Sequence, residues 1–80
     1  MLYYKYIMNA NKKERIDPKL AAQIKETREK KGLTQSEVAK QANVTETFYA
    51  MTERGETNPS YVKLNSILNV LGLKIVAKKQ

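Results

Sequence analysis

The side chains of this 80-residue chain that could do chemistry are hydrogen-bonding and charge-pairing groups, not nucleophiles or metal ligands. Cysteine and histidine are both absent, which removes the usual zinc ligands, the commonest general base and any disulfide framework. The acidic residues form no acid–base pair, and there is no glycine-rich phosphate loop or nucleophile elbow. Catalysis has no footing here, and neither a metal nor a cofactor is expected. What remains is non-covalent recognition. Fifteen basic against eight acidic side chains leave a net charge of +7, which suits a polyanionic partner.

The charge is unevenly placed. Residues 1–31 carry nine basic and four acidic side chains, a net of +5, and residues 73–80 carry Lys74, Lys78 and Lys79, a net of +3. Between them, residues 32–72 set Lys40, Arg54 and Lys63 against Glu37, Glu46, Glu53 and Glu56, a net of −1. The central segment therefore contributes none of the positive charge.

That central segment is nevertheless the best organised. Thr34-x-x-Glu37 has the spacing of a capping box, in which each side chain satisfies an orphan backbone N–H of a helix start. Val38, Ala39 and Ala42 follow at helical spacing, a small apolar face that lets a second helix cross closely. Asn43-Val44 reads as a tight turn, with Val44 filling the corner, and Thr45 caps the next helix. Gly55 supplies a C′ position tolerant of the left-handed conformation. A capped helix, a short turn and a second capped helix form a helix-turn-helix signature.

The flanking elements follow from the same rules. Asp17-Pro18 reads as N-cap and first helical residue, with Ile16 stapled onto Ala21, and Gly32 stops the helix. Leu20, Ala21 and Ile24 form its buried stripe, continued toward Thr27 and Arg28. Glu56-Thr57-Asn58-Pro59 is turn chemistry, and Ser60 caps a last helix whose Leu64, Ile67, Leu68 and Leu71 recur at i, i+3, i+4, i+7. After Gly72, Leu73, Ile75 and Ala77 alternate with Lys74, Val76 and Lys78, a period-2 strand. Such a strand needs a mate: the same strand of a second subunit, or an N-terminal arm in which Leu2–Ile7 permits a short strand. The two-fold pairing is favoured, because an isologous interface supplies the dimer that a symmetric reader requires.

The ordered set Arg28…Gly32-Leu33-Thr34-Gln35-x-x-Val38-Ala39…Val44-Thr45…Glu53-Arg54-Gly55…Asn58-Pro59-Ser60…Leu64…Leu71-Gly72 resembles the Cro/cI-type (XRE) helix-turn-helix family over residues 18–72. The strand after Gly72 narrows the likeness to HipB-like antitoxins. The resemblance implies an all-α, compact, lambda-repressor-like domain of four to five helices, with a short C-terminal β-strand, Leu73, Lys74, Ile75, Val76 and Ala77, used in dimerisation. The chain then divides into an arm at 1–16, disordered or a short strand, the domain at 17–72, and the dimerisation strand with a basic tail at 73–80.

Carried over residue by residue, the resemblance also implies a site. Thr45, Glu46, Thr47 and Met51 are the base-facing positions, with Phe48 beside them, and Gln35 contacts phosphate. Arg28 and Glu53 form a structural ion pair. The reading positions depart from the family's usual Gln, Ser, Asn or Arg. Glu can accept from cytosine N4, Thr can serve either base, and Phe or Met can meet a thymine methyl. Phe48 and Met51 otherwise cover helix 1 or a dimer neighbour, or form a protein-binding patch. Tyr49 and Thr52 stand where the family packs an Ile-like side chain, so Tyr49 must find a partner for its hydroxyl.

The function implied is a dimeric, sequence-specific repressor on a palindromic double-stranded DNA operator, the antitoxin of a toxin–antitoxin operon that also holds a HipA-like kinase toxin. The alternatives are a protein-binding antitoxin or adaptor with weak DNA readout, and a phage-type repressor without a toxin. Lys12, Lys13 and Arg15 are basic residues able to reach phosphates. Met1–Met8 is too short and aromatic for a signal sequence, Met8 is an alternative start, and no apolar run approaches the ~20 residues that span a bilayer. A bacterial cytoplasmic location without membrane association is expected, at the nucleoid when operator-bound.

Overall fold

Asp17 begins the first helix as the spacing requires: its carboxylate accepts from the Lys19 N–H at 2.9 Å, and Pro18 occupies the first helical position, where no donor is needed. In this computed structural model, which describes residues 2–5 and 15–76, α1 runs Pro18–Lys30. It buries Leu20, Ala21, Ile24 and Thr27 on one face. Ile16 is buried just before the cap, and its N–H donates to the Thr57 carbonyl at 2.7 Å, tying the entry of α1 to the loop ahead of the last helix.

Both halves of the capping box are made at the start of α2 (Gln35–Ala42): the Glu37 N–H donates to Thr34 Oγ1 at 3.0 Å, and the Thr34 N–H to Glu37 Oε1 at 2.8 Å. The helix ends at Asn43, which holds φ 59°, a left-handed conformation that asparagine tolerates better than other non-glycine residues. That residue turns the chain, and Thr45 caps α3 (Glu46–Glu53) by accepting from the Phe48 N–H at 3.1 Å. Gly55, at φ 76°, closes α3 in a conformation a side chain would strain. Ser60 caps α4 (Tyr61–Val70) through the Lys63 N–H at 3.2 Å.

Four helices result among the described residues, at the low end of the expected four to five. α2 packs against α3 and α4, and α1 against α3. The small face of Val38, Ala39 and Ala42 is buried where α2 meets these neighbours. Leu64, Ile67, Leu68 and Leu71 are all buried, and Val44 packs against this core from the turn.

The strand after α4, β2, spans Leu73–Val76 and packs on α4, with Leu73 fully buried. Its neighbour is the chain's own N-terminal strand, β1 (Leu2–Lys5), which runs parallel to it with Leu2 opposite Leu73 and Lys5 opposite Val76. Of the two mates open to β2, the intramolecular one is therefore present. The sheet has two strands among the described residues, and the mate of β2 is thus the N-terminal strand and not the two-fold copy favoured from the sequence. Ala77, the last residue assigned to the dimerisation strand, lies outside the described residues, as do Lys12 and Lys13.

Candidate nucleic-acid interface

α3 has an inward and an outward side. Tyr49, Thr52 and Glu53 are buried, while Thr45, Glu46 and Thr47 are exposed and Phe48 and Met51 are half-buried. The exposed residues cluster at the N-terminal end, the end that enters the major groove in a helix-turn-helix. Glu46 and Thr47 form no side-chain hydrogen bond or ion pair among the described residues. Their polar atoms are free for an outside partner.

The inward side is anchored by an ion pair that spans the motif. Arg28 Nε donates to Glu53 Oε2 at 2.6 Å, Nη2 donates to Oε1 at 3.2 Å, and Nη1 donates to the Leu33 carbonyl at 2.9 Å. The fork thus joins α1, the α1–α2 loop and the end of α3. The Glu53 side chain is 2% exposed and that of Arg28 13%, so the pair is shielded from water. Burial pushes the Glu53 carboxyl up, but the hydrogen bonds from Arg28, the nearby Tyr49 hydroxyl and the hydrogen bond from Gln35 outweigh it and hold the group below its ordinary range. The bond to Glu53 likewise raises the Arg28 guanidinium above its usual value.

Gln35, assigned to phosphate by resemblance, is drawn into this network. Its Nε2 donates to Glu53 Oε1 at 2.9 Å, which uses one of the two amide N–H groups and leaves the other, with the amide oxygen, outside that bond. The first residue of α2 is thereby linked to the last residue of α3. The orientation of Gln35 therefore depends on the buried pair.

The two departures from an apolar α3 interior are accommodated differently. Thr52 Oγ1 donates to the Phe48 carbonyl at 2.8 Å and lies 3.0 Å from Thr57 Oγ1, so the hydroxyl is satisfied inside its own helix and across to the α3–α4 loop. Tyr49 is completely buried, and its hydroxyl makes no hydrogen bond of ordinary geometry, although it lies near enough to the Glu53 carboxylate to help hold that group charged. The Glu53 carboxylate beside it already accepts from Arg28 twice and from Gln35 once. Burial, reinforced by that carboxylate, pushes the Tyr49 phenol well above its ordinary value.

One residue at this surface was not found by sequence reasoning. Lys63, in the first turn of α4, sets its ammonium 5.0 Å from the centroid of the Phe48 ring, in the first turn of α3. Phe48 itself packs against the core rather than standing free. Both side chains line a surface hollow of about 460 Å³ together with Asn43, Val44 and Thr45, beside the N-terminal end of α3. The available signal was a basic residue directly before the buried Leu64, but its pairing with Phe48 requires the crossing of α3 and α4.

Among the described residues no group of acidic side chains could hold a metal ion, and no helix is long and apolar enough to cross a membrane. A family model described as Helix-turn-helix matches residues 24–77. Among solved structures, the clp gene regulator ClgR from Corynebacterium glutamicum is similar to this chain, with 31% sequence identity and a TM-score of 0.65. That likeness covers 69% of this chain and 58% of the ClgR chain, so the present chain spans less than two thirds of it. No curated protein matches the sequence.

Proposed function

Because the chain belongs to the Cro/cI-type helix-turn-helix family of DNA-binding regulators, we propose that it is a dimeric, sequence-specific transcriptional repressor. The observation that carries this reading is the asymmetry of α3. Its N-terminal end presents Thr45, Glu46 and Thr47 to solvent, while its C-terminal end is locked by Glu53 to Arg28 and Gln35. A base reader needs exposed donors and acceptors on a helix that does not shift. Thr47 and Met51 meet base edges, Glu46 accepts from cytosine, and Gln35 donates its remaining N–H to phosphate.

The dimer forms through Leu73–Ala77. Two β2 strands related by a two-fold axis run antiparallel, and pairing at the edge not used by β1 gives a four-stranded sheet. A two-stranded sheet is marginal alone, so this enlargement supports the pairing. Within this reading the protein is a HipB-like antitoxin in the bacterial cytoplasm, bound to the palindromic operator of its own operon and to a HipA-like kinase toxin. That finer assignment is supported by the strand that follows Gly72.

The test is binding of the purified chain to DNA from its own upstream region, against scrambled DNA, over a range of salt. A specific complex with two-fold half-sites at physiological salt is expected. Weak binding, indifferent to sequence and lost at moderate salt, would leave the charged ends as the only contacts. The net −1 of residues 32–72 would then favour the adaptor reading, with a protein partner.

A further inference from the structure

The geometry points to Lys63 as a contact to a DNA backbone phosphate that seats the N-terminal end of α3 in the groove, with Phe48 as the residue that positions it. This inference rests on the repressor reading above. It changes the role of Phe48 from a reader of thymine methyls to a platform for a cation on the neighbouring helix.

Lys63 is exposed and enters no ion pair among the described residues, yet its ammonium is placed, 5.0 Å above the Phe48 ring. A ring face attracts a cation without strongly occupying its three N–H donors, so those donors remain available to an oxygen ligand. The ring in turn is fixed, because Phe48 packs against the core. The hollow these residues share with Asn43, Val44 and Thr45 opens beside the first turn of α3, and Lys63 is the one charged group lining it among the described residues.

The occupant follows from where that hollow must lie. A helix entering the major groove, about 12 Å wide, is flanked on both sides by phosphates. A cation overhanging the first turn from an adjoining helix falls at one of those walls. The other cations of residues 32–72 are placed elsewhere: Arg54, beyond the far end of α3, pairs with Glu56 at 3.1 Å, and Lys40 lies on α2. Glu46, in the same first turn, repels phosphate, and Lys63 offsets that repulsion locally.

The experiment uses the full chain with its own upstream DNA and with scrambled DNA, comparing unmodified protein, Lys63→Gln, Lys63→Arg and Phe48→Leu across salt concentrations. Lys63→Gln should weaken binding to both DNAs by the same factor and lower the slope of log K against log salt by about 0.9 per occupied half-site. Lys63→Arg should keep the slope. Phe48→Leu should weaken both DNAs equally, and adding Lys63→Gln to it should cost less than Lys63→Gln alone. Thermal melting of Lys63→Gln should not move, since the side chain is exposed. An unchanged slope in Lys63→Gln, with specific binding intact, would overturn the contact while leaving the repressor reading in place. A selective loss on the preferred site in Phe48→Leu would return Phe48 to base reading and overturn its positioning role. Failure of the unmodified protein to bind specifically would remove the repressor reading itself, and the contact with it.

Discussion

The two ends of α3 differ in how many of their polar groups are already committed. At the C-terminal end, Glu53 accepts three hydrogen bonds from two other segments, and Thr52 is bonded within the helix and across to Thr57. At the N-terminal end, only Thr45 is engaged, as the cap, while Glu46 and Thr47 stand exposed and unbonded among the described residues. A side chain whose bonds are satisfied internally holds the helix but can say nothing to a partner. One whose bonds are open contributes little to stability and is free to be exchanged for another specificity. On the function proposed above, the domain would separate holding from reading along the eight residues of one helix.

The largest effect should come from breaking the held end. Glu53→Ala strands a guanidinium that is 13% exposed, and we expect a loss of about 3–5 kcal/mol in urea unfolding, enough to leave so small a domain largely unfolded. Arg54→Ala provides the contrast at the other extreme of burial. Arg54 Nε lies 3.1 Å from Glu56 Oε1, but both side chains are exposed, and its loss should cost at most about 1 kcal/mol. Equal effects for the two variants would mean that burial does not distinguish these pairs.

At the reading end the effect should fall on discrimination, not on folding. Thr47→Ala or Met51→Ala should lower affinity for the preferred site by about 1–3 kcal/mol more than for scrambled DNA, with unchanged melting. Equal losses on both DNAs would remove these residues as readers. Ile75→Asp should split the dimer and weaken operator binding with it, and an unaltered mass in sedimentation would refute the two-fold strand pairing.

Acid titration sharpens the comparison further. The Glu53 carboxyl titrates below its ordinary range in the fold, so its contribution is complete above the usual glutamate value of about 4.3 and is lost as pH falls below it. Glu53→Gln should therefore flatten the dependence of the urea midpoint on pH below about 5. Tyr49 has the opposite sign: the fold keeps its phenol neutral, so its contribution holds below the ordinary tyrosine value of about 10 and is lost as pH rises past it.

Tyr49→Phe should give the smallest change at neutral pH. The hydroxyl it removes makes no hydrogen bond of ordinary geometry, so stability should hold or rise by up to about 1 kcal/mol, and the alkaline loss should become shallower. A clear destabilisation would mean that the hydroxyl is bonded in solution, and the held end would then include Tyr49.

What the sequence determined by itself is the part of this protein made by neighbours along the chain. Asp17, Thr34, Thr45 and Ser60 cap donors two or three residues ahead, and the apolar repeat from Leu64 to Leu71 lies along one helix. The Arg28–Glu53 pair is implied by family resemblance alone, since nothing local relates residues so far apart. The tertiary structure decided the rest. The capture of Gln35 by Glu53, the bond between Thr52 and Thr57, the placing of the Tyr49 hydroxyl near Glu53 and the seating of Lys63 on Phe48 depend on how helices and loops pack. The mate of β2 is decided in the same way: its alternation announces a strand, but the identity of the neighbouring backbone depends on where the N-terminal segment is carried. Capping is legible because a hydrogen bond over three residues needs only local backbone geometry. Partner choice across the core is not, because several side chains satisfy the same pattern until the helices cross and bring one of them within reach.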